Sequence, residues 1–444
     1  MRVATSSLFA VALLAAAPVV AQPAASPAPA QRAEVTAAAQ RLQGKVVAWR
    51  RDIHQHPELG NREVRTAKLV ADHLRALGLT PKTGIATTGV TAVLKGGRPG
   101  PRIALRADMD ALPVTERVDL PFASKATTTF RGETVGVMHA CGHDAHVAIL
   151  LGIAEALVAI RDDLPGEVLF VFQPAEEGAP DGEVGGAEEM LKQGIFRDFR
   201  PDAVFGLHVT SSAPVGVVAT RAGPLMAASD EFEITVRGRQ THGSRPWNGV
   251  DPIVAAADLV STAQTIVSRR TDITRLPAVV TFGAVKGGIR HNIVPDSVQL
   301  IGTIRTFDDG MRERILADLR NVSEHVAAAH GATVDATVPT AHNYPVTAND
   351  PALFARMKPS LEAAVGAGRV VDPGLITGAE DFSFFAREVP GLYFFVGVTP
   401  LGKDADTVAS NHSPEFYIDE AGLDVGFRAL LQVALDYLDA PAPG

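Results

Sequence analysis

The chain has 444 residues, a formal net charge of −9, 46% hydrophobic and 20% charged residues. That balance supports packed cores, excludes disorder as the default state, and weighs against a nucleic-acid binder, which displays a basic face. One cysteine, Cys141, excludes an internal disulfide and leaves the thiol either a small buried hydrophobe or a ligand.

In chain order, Arg2, the apolar run Leu8 to Ala17 and the small residues Val19-Val20-Ala21 read as an export signal over residues 1–21. The expectation is a periplasmic or secreted protein with no membrane association once the signal is cleaved. The run is too short for a stable spanning helix, and an uncleaved anchor is the alternative. Residues 22–33, rich in Ala and Pro, read as a flexible leader. Residues 34–80 read as helices: Thr66, Leu69, Val70, His73, Leu74 and Leu77 keep a helical spacing, and Gly78 is a stop. Short apolar runs follow at Val90 to Leu94, Ile103 to Leu105, Val168 to Phe172, Val204 to Leu207 and Leu392 to Val396. Such runs, alternating with helices such as Ala148 to Ile160, indicate an α/β sheet covered on both faces.

The segment 226–338 differs. Phe232, Ile234 and Val236 alternate with polar residues, and the order strand, helix, strand, strand, helix, strand is the ferredoxin-like arrangement. It reads as a domain inserted between two parts of the larger one, 34–225 and 339–444.

Chemistry gathers where the predicted strands end. Ile103 to Leu105 runs into Asp108 and Asp110; Val168 to Phe172 into Glu176 and Glu177; Val204 to Leu207 into His208. Sites in open α/β sheets form beyond the carboxyl ends of strands. Between these lie His139, Cys141, His143, Asp144 and His146, a density of thiol, imidazole and carboxylate that suits zinc and similar divalent ions. Neighbouring residues point apart, so Glu176 and Glu177 divide the work: one binds metal, the other serves as general base. The bland alternative is a solvated acidic loop. A His-Glu-x-x-His helix, a Gly-x-Ser-x-Gly elbow and a phosphate loop are all absent from the sequence.

From Val47 to the C-terminus the chain resembles the metal-dependent amidohydrolases that include hippurate hydrolases, N-acyl-amino-acid hydrolases and indole-acetyl-amino-acid hydrolases. This is the branch of the aminoacylase and dipeptidase superfamily with a cysteine metal ligand. The carriers are Arg51 to Leu59, Asp108 to Asp110, Met138 to His146, Gln173 to Gly178, Leu207-His208, Thr241 to Ser244, His291 to Pro295, Gly378 to Phe382 and Asn411 to Pro414. The resemblance implies a zinc-peptidase-like catalytic domain, with a central mixed sheet flanked by helices, and an inserted lid and dimerisation domain that makes a homodimer. It implies two divalent ions, zinc or manganese first and cobalt or nickel next, held by Cys141, His143, Glu177, His208 and His412, with Cys141 shared. It makes Glu176 the general base, Asp110 the carboxylate that orients the ligands, His242 the group that steadies the oxyanion, and Asn292 and Arg305 substrate contacts. His139 and His146 are read as supporting or structural; His54, His56, His73, His325 and His330 as structural or surface. The expected activity is hydrolysis of the amide bond of N-acyl amino acids, often with an aromatic acyl group, or of related amide conjugates. A dipeptidase or carboxypeptidase is the enzymatic alternative, and a periplasmic acyl-amino-acid binding protein the non-enzymatic one.

Overall fold

The computed structural model describes residues 29–439 apart from His342. The export signal and the first part of the leader lie outside the described residues. The leader does not extend to residue 33: a helix already runs Pro29–Gln55, with Pro29 in its first turn, where a missing N–H costs nothing. Val35, Ala38, Ala39, Leu42, Val46 and Ile53 line its buried side at helical spacing and face the helices His143–Ala159 and Ala421–Asp439. Among the described residues no helix is long and apolar enough to cross a membrane.

The large domain is built on an eight-stranded mixed sheet. Its central strands, Pro165–Gln173, Arg98–Asp108, Ala203–Pro214 and Gly391–Thr399, are parallel neighbours in that order; Gly89–Lys95 pairs antiparallel on one flank and Val218–Ala219 on the other. One face packs beneath the three helices above. The other packs against Gly186–Lys192, Ile195–Phe199 and Phe382–Glu388. Burial from both sides explains why the strands read as continuous apolar runs.

The insert is the ferredoxin-like unit anticipated, with its antiparallel strands ordered Ala278–Gly287, Ser297–Thr306, Ala228–Arg237, Thr333–Thr337. Helices Pro252–Thr265 and Asp309–Ala329 cover one face, over Phe232, Ile234, Leu300 and Ile304. The other face carries Ser229, Glu231 and Glu233. Chain pairing with the insert continues past residue 338, because Asn343–Tyr344 forms a further short strand against Ser229–Asp230.

Candidate metal centre and active site

His208 does not end its strand. Ala203–Pro214 continues well beyond it, but the pairing with Arg98–Asp108 stops at Arg106 opposite Gly206. His208 therefore lies just past the point where the two strands part, and a crevice opens there. Two loops close the crevice. One is Ala140 to Gly142, leading into the helix at His143. The other carries Asn411 and His412. Asn411 ties them together: its Nδ2 donates to the carbonyls of Cys141 and Val209, and its Oδ1 accepts from Ser211 N. His412 adopts a left-handed backbone, φ 70°, and its N–H donates to the Ala140 carbonyl at 2.8 Å. Strained non-glycine backbone held by its surroundings is a mark of functional sites.

Gly142 is required locally. Its φ is +95°, and a Cβ there would lie 2.3 Å from Val209 Cγ2. Gly142→Ala should lower stability by on the order of 2 kcal/mol and move Cys141 and His143 apart. Thermal unfolding together with metal content checks this; full stability with full occupancy would show that the glycine is incidental.

Two groups of donor atoms share one sulfur. Cys141, His143 and His208 form the first; Cys141, Glu177 and His412 form the second; within each, the donor atoms lie within 4.8 Å of one another. Cys141 Sγ is 3.2 Å from His208 Nε2 and 3.2 Å from His412 Nε2, which is itself 3.2 Å from Glu177 Oε1. His208 Nδ1 donates to the Val209 carbonyl at 2.6 Å, leaving Nε2 with its lone pair toward the sulfur. All five residues anticipated as ligands are thus in one place, as are Glu176 and Asp110. Asp110 takes both peptide N–H groups of the glutamate pair, Glu176 N to Oδ1 at 3.0 Å and Glu177 N to Oδ2 at 2.9 Å, and lies 3.3 Å from His143 Nδ1.

These residues fit a pair of divalent cations on three observations. His143 Nε2 is buried without a hydrogen-bond partner, while its Nδ1 lies against Asp110 and Glu177 Oε1 against His412. The Cys141 thiol is pushed well up by burial and by Glu177 and Glu176, so its thiolate needs a nearby cation. Burial opposes charge on His143, yet Asp108 and Asp110 hold it up to about 10, so the surroundings of this ring favour positive charge, as a cation site does.

The glutamate pair is split as acid–base work requires. Burial, then the carboxylates of Glu380, Glu177 and Asp381, push Glu176 well above the usual carboxylate range. Burial also opposes ionisation of Glu177, but His412, His143 and Cys141 pull it down. Divergent environments for paired carboxylates mark acid and base assignments. Among the described hydrogen bonds none engages the Glu176 carboxylate.

Further residues support the site, and of these Arg106 and Glu63 escaped sequence reasoning. Asp108 Oδ1 accepts from His146 Nδ1 at 2.5 Å while His146 Nε2 accepts from Val209 N, so both ring nitrogens of His146 are engaged within the protein. Arg106, fully buried, bonds Asp108, Gln173, Glu380 and Asp381. Glu63 is wholly buried: its carboxylate accepts from Ala175 N at 2.8 Å and Thr88 Oγ1 at 2.5 Å, and burial, then Asp110, raise it to about 7. An acid just before an amphipathic helix normally reads as a cap, so the sequence held no signal for Glu63. His54, read as structural or surface, is buried between Asp144 and Glu116.

The insert's residues lie apart from the donor cluster. His242 pairs with Ile293 in a two-residue ladder, is exposed, and its Nδ1 accepts from Ser244 N at 3.0 Å. Gly243 N donates to the Asn292 carbonyl, so His242 and Asn292 are neighbours. Arg305 lies opposite Ser229, which lies opposite Tyr344. Opposed residues share a face, so all three are on the helix-free face. Ser229 and Tyr344 line a cavity of about 790 Å³ with Asp110, Glu177, Leu112 and Phe130.

The family profile of peptidases M20/M25/M40 matches residues 104–436. The chain is 39% identical over 393 residues to thermostable carboxypeptidase 2 of Saccharolobus solfataricus, covering 88% of this chain and 95% of that one. It is 36% identical over 399 residues to the N-acetyl-L-cysteine deacetylase of Bacillus subtilis, covering 90% and 89%. The solved Bacillus subtilis YxeP protein, described as a dinuclear metal binding peptidase from the M20 family, superposes with a TM-score of 0.73 at 33% identity over 90% of this chain and 99% of its own. The chain belongs to the M20/M25/M40 peptidase family and is a metal-dependent hydrolase of amide bonds.

Proposed function

We propose that this enzyme hydrolyses the amide of N-acyl amino acids and related conjugates, with Glu176 as general base and later acid, and with Cys141, His143, Glu177, His208 and His412 holding two divalent ions, zinc or manganese first. The observation that carries the reading is the pair of donor groups sharing Cys141 with an uncommitted, buried carboxylate beside them. Pure binding needs no such base, which disfavours a binding protein. When bound, the ions supply Lewis-acid activation of water and of the carbonyl. The protein's own part is proton management and positioning. Asp110 fixes the peptide of the glutamate pair. Glu176 takes the proton of the attacking water and passes it to the departing nitrogen. His242 steadies the oxyanion after the insert closes over the crevice.

Arg305 suits the substrate's free carboxylate. It shows no ion pair with a carboxylate among the described residues and stands on the insert face that meets the cavity. The two arginines in the cavity wall, Arg62 and Arg131, are already paired with Glu183 and Asp181. Turnover of N-acetyl, N-benzoyl and indole-acetyl amino acids against a dipeptide panel tests this: faster acyl-amino-acid cleavage is expected, whereas a tenfold preference for dipeptides would establish the carboxypeptidase reading.

The homodimer expected through the insert is supported by its edge strand, Ala278–Gly287. Val279 and Val285 are exposed on it, and Ile289 just beyond is 96% exposed. An open apolar edge invites pairing with another chain. Sedimentation should give twice the chain mass, and Val285→Lys with Ile289→Lys should give the monomer; a monomeric wild type would end this reading. Export through the residues 1–21 remains our proposal for location.

A further inference from the structure

The general-base loop is an unusual stretch of backbone. Ala175, just before Glu176, has a left-handed φ of 51° without being glycine. Its geometry depends on outside anchors. Ala175 N is held by Glu63, and the next two N–H groups by Asp110, all within the large domain. The remaining described anchor comes from elsewhere: Tyr344 Oη donates to the Glu176 carbonyl at 2.7 Å.

Tyr344 belongs to the chain leaving the insert. Asn343–Tyr344 pairs with Ser229–Asp230, the chain entering it. This junction is clamped to the insert's own core. Asp230, fully buried, accepts from Arg312 Nε and Nη2 at 2.8 and 2.7 Å, and Arg312 Nη2 also reaches Asn343 Oδ1 at 3.1 Å. Arg312 lies on the helix Asp309–Ala329, so any movement of the insert carries this strand with it. On the opposite face of the same strands, Tyr344, Ser229 and Arg305 form one row across the sheet. Phe384 meets the Tyr344 ring edge-on at 6.2 Å and limits its swing.

We propose that Tyr344 is a positioning residue which transmits the placement of the inserted domain to the peptide of Glu176, so that the base is aligned when the insert is docked. The inference rests on Glu176 being the base. A substrate drawing Arg305 inward would move the same row of residues that holds the Glu176 carbonyl.

The test compares wild type, Tyr344→Phe, Asn343→Ala, the double variant and Glu176→Gln on one N-acyl amino acid, with metal content and thermal unfolding measured for each. Tyr344→Phe keeps the ring and loses only the hydroxyl. Its kcat should fall about tenfold with KM within twofold and full metal content. Asn343→Ala should give a smaller fall in kcat, and the double variant should be no slower than Tyr344→Phe, because both interrupt one relay; residues acting through one connection are non-additive. A Tyr344→Phe kcat within twofold of wild type, a loss confined to KM or metal content, or multiplicative losses in the double variant would each overturn the relay. Retained activity in Glu176→Gln would instead remove the base assignment on which it rests, so the two failures are distinguishable.

Discussion

Glu176→Gln should fold, retain both metals and lose about 10²–10⁴-fold in kcat, the usual contribution of a positioned general base. Glutamine keeps the size of the side chain, and the anchors of this residue are peptide groups: its N–H meets Asp110 and its carbonyl meets Tyr344. Nothing in the fold therefore depends on its charge. The substitution removes proton acceptance alone. The acid side of the pH–rate profile supplies a second readout. Burial and three neighbouring carboxylates raise this group, so its protonated, inactive form persists to higher pH than for an ordinary glutamate, and activity is lost as pH falls through its pKa. Cations in the adjacent groups act in the opposite direction and pull that limb down. The limb should vanish in Glu176→Gln. Activity within tenfold of wild type, with the limb intact, would reassign the base, and Glu177 would be the next residue to test.

Chelation should abolish turnover, and added zinc or manganese should restore it. The cause is electrostatic. Without cations, the crevice gathers a buried thiol that resists ionisation, a histidine held up to about 10 and the Glu177 carboxylate. A divalent ion displaces the protons of Cys141 and His143, so metal uptake should release protons, measurable in weakly buffered solution. Binding also stabilises the fold: a site saturated a hundredfold above its Kd contributes about 2.7 kcal/mol, so chelated protein should unfold at lower temperature. Cys141→Ser should lower occupancy of both sites together, because its sulfur belongs to both donor groups. His412→Ala should weaken one group and spare His143 and His208. Full turnover by exhaustively demetallated protein, or unchanged metal content in Cys141→Ser, would return the thiol to an inert buried role.

Much of this was legible in the sequence because the relevant signals are local. Apolar runs, helical spacing and strand order are properties of neighbouring residues, and they yielded both domains and the ferredoxin-like order. The cluster from His139 to His146 announced metal chemistry by its density, whereas the glutamate pair read equally well as a solvated acidic loop. The choice among histidines was different. His139, His143 and His146 read alike, and only their partners separate them: His146 is spent on Asp108 and Val209 N, and His143 faces the donors. His208 reads as the residue at a strand end, yet what sets it in the crevice is the point where its strand parts from a neighbour about a hundred residues away.

Family resemblance, not residue pattern, pointed to His412, because no local motif links it to Cys141 across 271 positions. Glu63, Arg106 and Tyr344 carried no sequence signal whatever. An acid, an arginine or a tyrosine is ordinarily a surface or packing residue. What makes each matter here is the unpaired backbone or charge it meets after folding: Ala175 N, the buried carboxylates, the Glu176 carbonyl. Sequence determined which groups of the chain could do metal-assisted hydrolysis. Tertiary structure decided which of them are committed to holding others still and which are left free to react, because burial converts every polar atom into one that must find a partner.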